Sequence, residues 1–264
     1  MIADALNQLR AALPSGVQLV AVSKFHPVER LMEAYNAGQR IFGENRPQEL
    51  AAKVPQMPAD VQWHFIGHLQ TNKLKMVLPY ASLVQSVDSF HLLEAINTWG
   101  AANNKVIDIL LELHLGAEET KQGFSEEEIL GIFASGGGVP SETFATPGDK
   151  GEGPAGWPLL RSNDEPDSGR DEGAKPRRVS EGTPSELANV RVRGLMGMAT
   201  NTEDMEVVEK DFARIEKLFN KIKSFGLPYF DTLSIGMSGD WPIAVKHGAT
   251  MVRIGTDIFG PREY

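Results

Sequence analysis

A lysine that ends an apolar run, and two short polar loops far along the chain, hold the residue types best suited to chemistry. Residues 19–24 read Leu-Val-Ala-Val-Ser-Lys, with Phe-His-Pro directly after them. A Val-rich run flanked by Pro14-Ser15-Gly16 and Pro27 reads as a buried parallel strand with Lys24 at its carboxyl end. In parallel α/β proteins that end is where ligands bind, so the amine faces a pocket. The plain alternative is a solvated charge marking where the core stops. Met237-Ser238-Gly239-Asp240 and Arg253-Ile254-Gly255-Thr256 close the last two strands. Small hydroxyl and glycine residues there commonly hold a phosphate through backbone N–H groups, a role that suits Ser238, Gly239, Gly255 and Thr256. Asp240 fits better as the cap of the following helix, with Pro242 tolerated in its first turn. Ordinary turn chemistry is the competing explanation for both loops.

An amine facing a phosphate site is what pyridoxal phosphate requires: a lysine for its aldehyde and an anion site for its other end. A Schiff-base aldolase acting on a sugar phosphate needs much the same. Arg253 discriminates, because from the barrel wall it can hydrogen-bond a pyridine nitrogen that an aldolase substrate lacks.

Those residues must be positioned by the elements around them. Hydrophobic periodicity and turn signals predict strands at 19–24, 40–45, 63–68, 83–88, 107–115, 190–198, 232–237 and 251–255. Helices are predicted at 27–38, 47–54, 72–78, 90–101, 125–135, 203–225 and 241–247 between them, after an amphipathic helix over 1–13. Strands alternating with helices imply parallel pairing with right-handed crossovers. Eight such units fit a closed (β/α)8 TIM barrel, in which strand one neighbours strand eight. A doubly wound open sheet reads almost the same.

Residues 136–185 break the pattern, with 10 Gly and 7 Pro in 50 residues and no periodicity. Such a composition buries too little apolar area to offset its ordering entropy, so this stretch is expected to be a disordered insert in a single domain spanning 1–264. It lies at the face opposite the ligand end.

The chain has no cysteine, and its six histidines show no pair at zinc-binding spacing, so neither disulfides nor a structural metal are expected. A net charge of −9 argues against attraction to nucleic acid or anionic lipid. No signal peptide and no apolar run of membrane-spanning length is present, which leads to a cytoplasmic expectation.

Several stretches are similar to signature segments of the pyridoxal phosphate homeostasis protein family. They are Ala21-Val22-Ser23-Lys24, Phe42-Gly43-Glu44-Asn45, the run from Trp63-His64-Phe65 through Ile66-Gly67-His68 to Lys73, Ser86-Val87-Asp88-Ser89, Met237-Ser238-Gly239-Asp240, and Val252-Arg253-Ile254-Gly255-Thr256 with the residues to Gly260. The resemblance covers nearly the whole chain except 136–185. It implies a single barrel like the N-terminal domain of alanine racemase, with pyridoxal 5'-phosphate carried on Lys24 as an internal aldimine. By the same resemblance Ser238, Gly255 and Thr256 hold the phosphate, Arg253 meets the ring nitrogen and Asn45 lines the cofactor. Its implied work is intracellular buffering or delivery of the cofactor without turnover, its partners being the cofactor and the apo-enzymes that receive it. An amino-acid racemase and a Schiff-base aldolase stand as the alternatives. Racemases of this type set a tyrosine from a separate β-domain opposite the lysine, and this chain runs only nine residues past Gly255, to Tyr264. His64 and His68 read as structural histidines on the third strand, one facing the interior and the other the helices. Lys121 reads as a solvated lysine, or as a second amine near the mouth.

Overall fold

The computed structural model describes residues 1–116, 122–134 and 187–261. Its strands are short runs rich in aliphatic or aromatic side chains: β1 (Gln18–Val22), β2 (Ile41–Glu44), β3 (Gln62–Phe65), β4 (Ala81–Val87), β5 (Ile107–Leu113), β6 (Val190–Gly197), β7 (Thr232–Ser234) and β8 (Met251–Ile254). All neighbouring pairs are parallel, and β1 pairs with both β2 and β8, which closes the barrel and excludes the open sheet. In that closure Val20 stands opposite Arg253 and Ala21 opposite Ile254.

The helices are α1 (Ile2–Ala12), α2 (Val28–Asn36), α3 (Pro47–Lys53), α4 (Leu74–Val77), α5 (Phe90–Asn103), α6 (Glu126–Ala134), α7 (Met205–Lys223), α8 (Trp241–Lys246) and α9 (Thr256–Phe259). Their ends follow local chemistry. Ser89 caps α5 by accepting the Leu92 N–H. At α6, the Ser125 hydroxyl accepts the Glu128 N–H at 3.1 Å, and the Glu128 carboxylate accepts the Ser125 N–H at 2.8 Å, a reciprocal capping box. In α7, Val208, Phe212, Ile215, Phe219 and Ile222 form one buried stripe at helical spacing.

Two layers of apolar packing result. One lies between the strands and the helices; the other, built from Val20, Leu83, Leu110, Met196 and Met251, plugs the bore. The bore is therefore a packed core, and the carboxyl ends of the strands form a cup above it. At the opposite face Asp108 bridges Arg191 at 2.6 Å and Arg193 at 3.2 Å, and Arg193 reaches Asp231 at 2.8 Å.

The strands stop earlier at their carboxyl ends than the sequence implies, and this matters at the cup. The chain leaves β1 at Val22, so Lys24 stands two residues beyond the strand in a turn. The third strand stops at Phe65, so His68 lies off it, and β7 stops at Ser234 rather than 237. The helix predicted at 72–78 splits into a 3-10 turn, Thr71–Lys73, and α4. Helix α9 is too short to leave a periodic signal, and Thr256 opens it. The predicted insert at 136–185 and Lys121 lie outside the described residues. No helix among the described residues is long and apolar enough to cross a membrane.

Candidate functional site

Lys24, Asn45, Ser238, Arg253, Gly255 and Thr256 all line one cavity of about 400 Å³ at the carboxyl ends of the strands. Each comes from a strand end or the loop that follows it. Asn45 directly follows β2, Gly255 directly follows β8, and Ser238 sits on the loop between β7 and α8. That loop is drawn tight: the Trp241 N–H donates to the Met237 carbonyl at 2.9 Å, and the Asp240 carboxylate accepts the Met237 N–H. Asp240 occupies the N-cap position of α8, but its side chain turns back to Met237 instead of meeting the helix N–H groups, which corrects the capping expectation.

Close backbone approach shapes the cup. A Cβ on Gly67 would meet the Asn45 carbonyl at 2.2 Å, so only glycine lets the end of β3 come this near to Asn45. On the far side, Phe259 at the end of α9 stacks on His26 at 4.8 Å, and its carbonyl accepts from Arg30 at 2.8 Å. These contacts tie Gly255 and Thr256 to the segment just after Lys24.

Arg253 is the buried cation of the site, 4 % exposed. Its Nη1 donates to the Ser234 carbonyl and hydroxyl, both at 2.7 Å, and its Nη2 donates to the Gly197 carbonyl at 3.0 Å. A guanidinium has five N–H donors and accepts nothing, so two remain beyond these three. Because Arg253 only donates, the Ser234 hydroxyl must pass its own proton on to Gln85 Oε1, 2.7 Å away. That orientation aims the Gln85 amide N–H at His64 Nδ1, 2.9 Å away, so Nδ1 is an acceptor and the imidazole is neutral. Burial pushes the His64 pKa down to about 4, in agreement. Arg253 is thus fixed by a polar chain running down the bore, and it holds its charge although burial pushes its pKa down to about 10, with Glu112 and Asp240 opposing.

His64 faces this chain, whereas His68 stands exposed at the cavity rim with Nδ1 2.9 Å from Asp88, so the expected split between interior and helices does not occur. Glu112 also lines the cavity, 8 % exposed, where burial and Asp88 push its carboxyl up to about 7 against the pull of Arg253. Sequence reasoning passed over Glu112, yet a lone acid among Ile109-Leu110-Leu111 and Leu113 was a signal: alternation puts it on the same face as Leu110, which points into the bore.

These residues fit pyridoxal phosphate. The buried Asn45 Oδ1 has no hydrogen-bond partner, an acceptor still to be met. A Cβ on Gly239 would meet nothing, so that loop leaves open space beside its backbone, whereas one on Gly255 would press on Val22 at 3.3 Å and the β8 end packs close against β1. A second cavity of about 490 Å³, at the opposite face, is lined by Asp108, Arg193 and Asp231, which satisfy one another.

Residues 1–140 match the family described as alanine racemase, N-terminal domain. The pyridoxal phosphate homeostasis protein of Vibrio alginolyticus is 32% identical over 256 residues, covering 95% of this chain and 89% of that protein. The chain belongs to the pyridoxal phosphate homeostasis protein family. A family member from Schizosaccharomyces pombe is 32% identical over 93% of this chain and 84% of its own length. The solved structure of PipY from Synechococcus elongatus with PLP bound superposes with a TM-score of 0.73 at 30% identity, covering 98% of this chain and all of PipY. Alanine racemase of Clostridium difficile, at 11% identity and a TM-score of 0.67, shares the fold over 57% of its own length.

Proposed function

We propose that this chain binds pyridoxal 5'-phosphate in the cup and serves intracellular homeostasis of that cofactor, holding and releasing it for apo-enzymes without turnover of its own. The observation that carries the reading is the convergence on one cavity of a lysine, a buried arginine and two small polar loops. The family's name and the PLP-bound PipY support it. When bound, the cofactor supplies an aldehyde that condenses with an amine. Lys24 would supply that amine, Ser238, Gly255 and Thr256 would take the phosphate, Asn45 would offer its unmet acceptor, and Arg253 would donate to the ring nitrogen. The test is a spectrum of the purified protein: near-visible absorbance that moves on borohydride reduction supports the reading. A colourless protein that stays colourless after incubation with the cofactor overturns it.

Amino-acid racemisation should be absent at enzymatic rates. A racemase removes a proton on one face of the α-carbon and returns one on the other, so two groups must flank it. No tyrosine lines this cavity among the described residues. Arg253, held protonated, can only donate and so leaves the ring nitrogen unprotonated, a weaker electron sink. Racemases tolerate an arginine there, so the missing partner is the stronger argument. Incubating the loaded protein with L-alanine and separating the enantiomers by chiral chromatography should show no D-alanine above background. Turnover of about 1 to 10³ per second would return the chain to the enzymes, with His68 and Glu112 the first groups to replace.

We also infer that residues 136–185 take no part in the site. The described elements that flank them, α6 ending at Ala134 and β6 starting at Val190, have those ends at the face away from the cup. Lengthening a loop costs only about 0.6 kcal/mol per doubling. Deleting Gly138 to Gly182 should therefore leave cofactor uptake and the melting curve close to those of the full chain, and a deletion variant that precipitates or purifies colourless contradicts this.

A further inference from the structure

The turn that carries Lys24 is gripped on both sides by a buried ionic network. On one side, Ser23 is fully buried; its N–H donates to the Gly43 carbonyl at 3.0 Å and its hydroxyl to Glu44 Oε1 at 2.6 Å. Its own carbonyl accepts from Lys53 Nζ at 2.9 Å. On the other side, the Phe25 N–H donates to Glu49 Oε2 at 2.9 Å, and Arg46 lies over the Phe25 ring at 4.4 Å. Lys53, 7 % exposed at the end of α3, joins the two grips: its Nζ also donates to Glu44 Oε1 at 2.8 Å and to Glu49 Oε2 at 3.0 Å. All three ammonium protons are thereby committed.

Two features separate this network from ordinary barrel packing. Phe25 adopts a left-handed backbone with φ of 68°, which is unfavourable for a residue with a Cβ and persists only where its surroundings impose it. The Ser23 carbonyl and the Phe25 N–H belong to the two peptides on either side of Lys24, and the bonds to Lys53 and Glu49 hold both of them in place. Burying a lysine and a glutamate is also a poor route to stability, because their desolvation offsets much of their attraction. Glu44 carries that cost visibly: its second oxygen, Oε2, is buried with no partner. Burial pushes the Glu44 carboxyl up while Lys53 pulls it down; Glu49, despite its burial, is held below its usual range by the Phe25 N–H and Lys53.

We infer that Lys53, Glu44 and Glu49 form the positioning device of Lys24, clamping the backbone on both sides so that its amine enters the cup in one orientation. This rests on the reading of Lys24 as the residue that takes the cofactor. None of the three is among the residues lining the cavity, so they act through Lys24 and not on the cofactor. Lys53 is in the α3 segment and Glu44 at the end of β2, so the same clamp also fixes Asn45, the next residue, relative to Lys24.

The decisive variant is Glu49→Ala, since Glu49 is half-buried on a helix surface and alanine suits a helix. Wild type, Glu49→Ala and Lys53→Met are titrated with pyridoxal 5'-phosphate, and the absorbance of the bound form is followed against pH. Loss of a hydrogen bond to a charged group should weaken cofactor uptake by Glu49→Ala about tenfold and move the pH at which the bound chromophore changes, while its circular dichroism stays that of the wild type. Lys53→Met should show the larger effect where it folds; where it does not, Glu49→Ala decides alone. Wild-type affinity together with an unmoved chromophore titration in Glu49→Ala overturns the inference. A wild-type chain that takes up no cofactor overturns the reading of Lys24 as well, so the two failures are told apart.

Discussion

Lys24→Ala should lose covalent cofactor completely. Borohydride reduction of the loaded wild type should fix one pyridoxyl group per chain on the peptide containing Lys24, and the variant should carry none. The fold should survive the change. Lys24 is half-buried and lies outside β1, so truncating it opens no cavity in the core, and the cost in stability should stay within about 1 kcal/mol. Residual binding through the phosphate loops and Arg253 should appear as weak, freely dialysable cofactor that borohydride does not trap. Peptide mapping of the reduced protein by mass spectrometry checks both halves. Undiminished labelling in Lys24→Ala would put the reactive amine elsewhere, with Lys121 the first place to look.

That Lys24 and Arg253 could be paired from sequence is a property of closed barrels. A strand-end residue has one place to go, the cup, and the closure of β1 on β8 makes the first and last strand ends neighbours. The polar loops at 237–240 and 253–256 were legible for the same reason. What could not be read is whatever depends on side chains meeting across the bore or behind the turn. Ser234 and Gln85 are 149 positions apart, and nothing in either segment announces the hydrogen bond that orients Arg253. Lys53 and Glu44 lie only 9 positions apart, but their contact exists because α3 folds back against the end of β2, and a lysine closing a helix ordinarily reads as a solvated charge. The alternation over 63–68 in size and polarity suggests a strand reaching His68, but β3 stops at Phe65 and the chain packs at Gly67 directly against the Asn45 backbone before His68. Helix α9 spans a single turn, too short for periodicity to register.

The second large effect should come from Glu112, and it is a dependence on pH. In the folded chain, burial and Asp88 push the carboxyl from its ordinary 4.5 to about 7, with Arg253 opposing. The unfolded chain releases that proton near 4.5, so between the two values the folded state holds a proton that the unfolded state has lost. Stability therefore falls as pH rises through this window: the contribution of Glu112 is whole below the unfolded value and gone above the folded one. A shift of this size corresponds to roughly 3 kcal/mol, at 1.36 kcal/mol per unit. The groups facing Glu112 do not cancel it. Arg253 stays protonated across the window, its pKa pushed down by burial only to about 10, and its attraction is already contained in the position of the Glu112 titration. Asp88, which helps to raise the Glu112 carboxyl, also meets His68 Nδ1 at 2.9 Å, and a His68→Gln background keeps that contact out of the comparison. Glu112→Gln keeps the shape of the side chain and cannot titrate. Urea unfolding of cofactor-free protein at pH 5, 6, 7 and 8 should show the wild type losing stability relative to Glu112→Gln, by about 2.5 kcal/mol over a series that begins above the unfolded value. The variant should be the more stable chain at pH 8. A difference between the two that stays flat from pH 5 to 8 would mean that Glu112 is ionised throughout and sits beside Arg253 as a standing buried ion pair. The charge at the cup floor would then be constant, and cofactor uptake would owe none of its pH dependence to this residue.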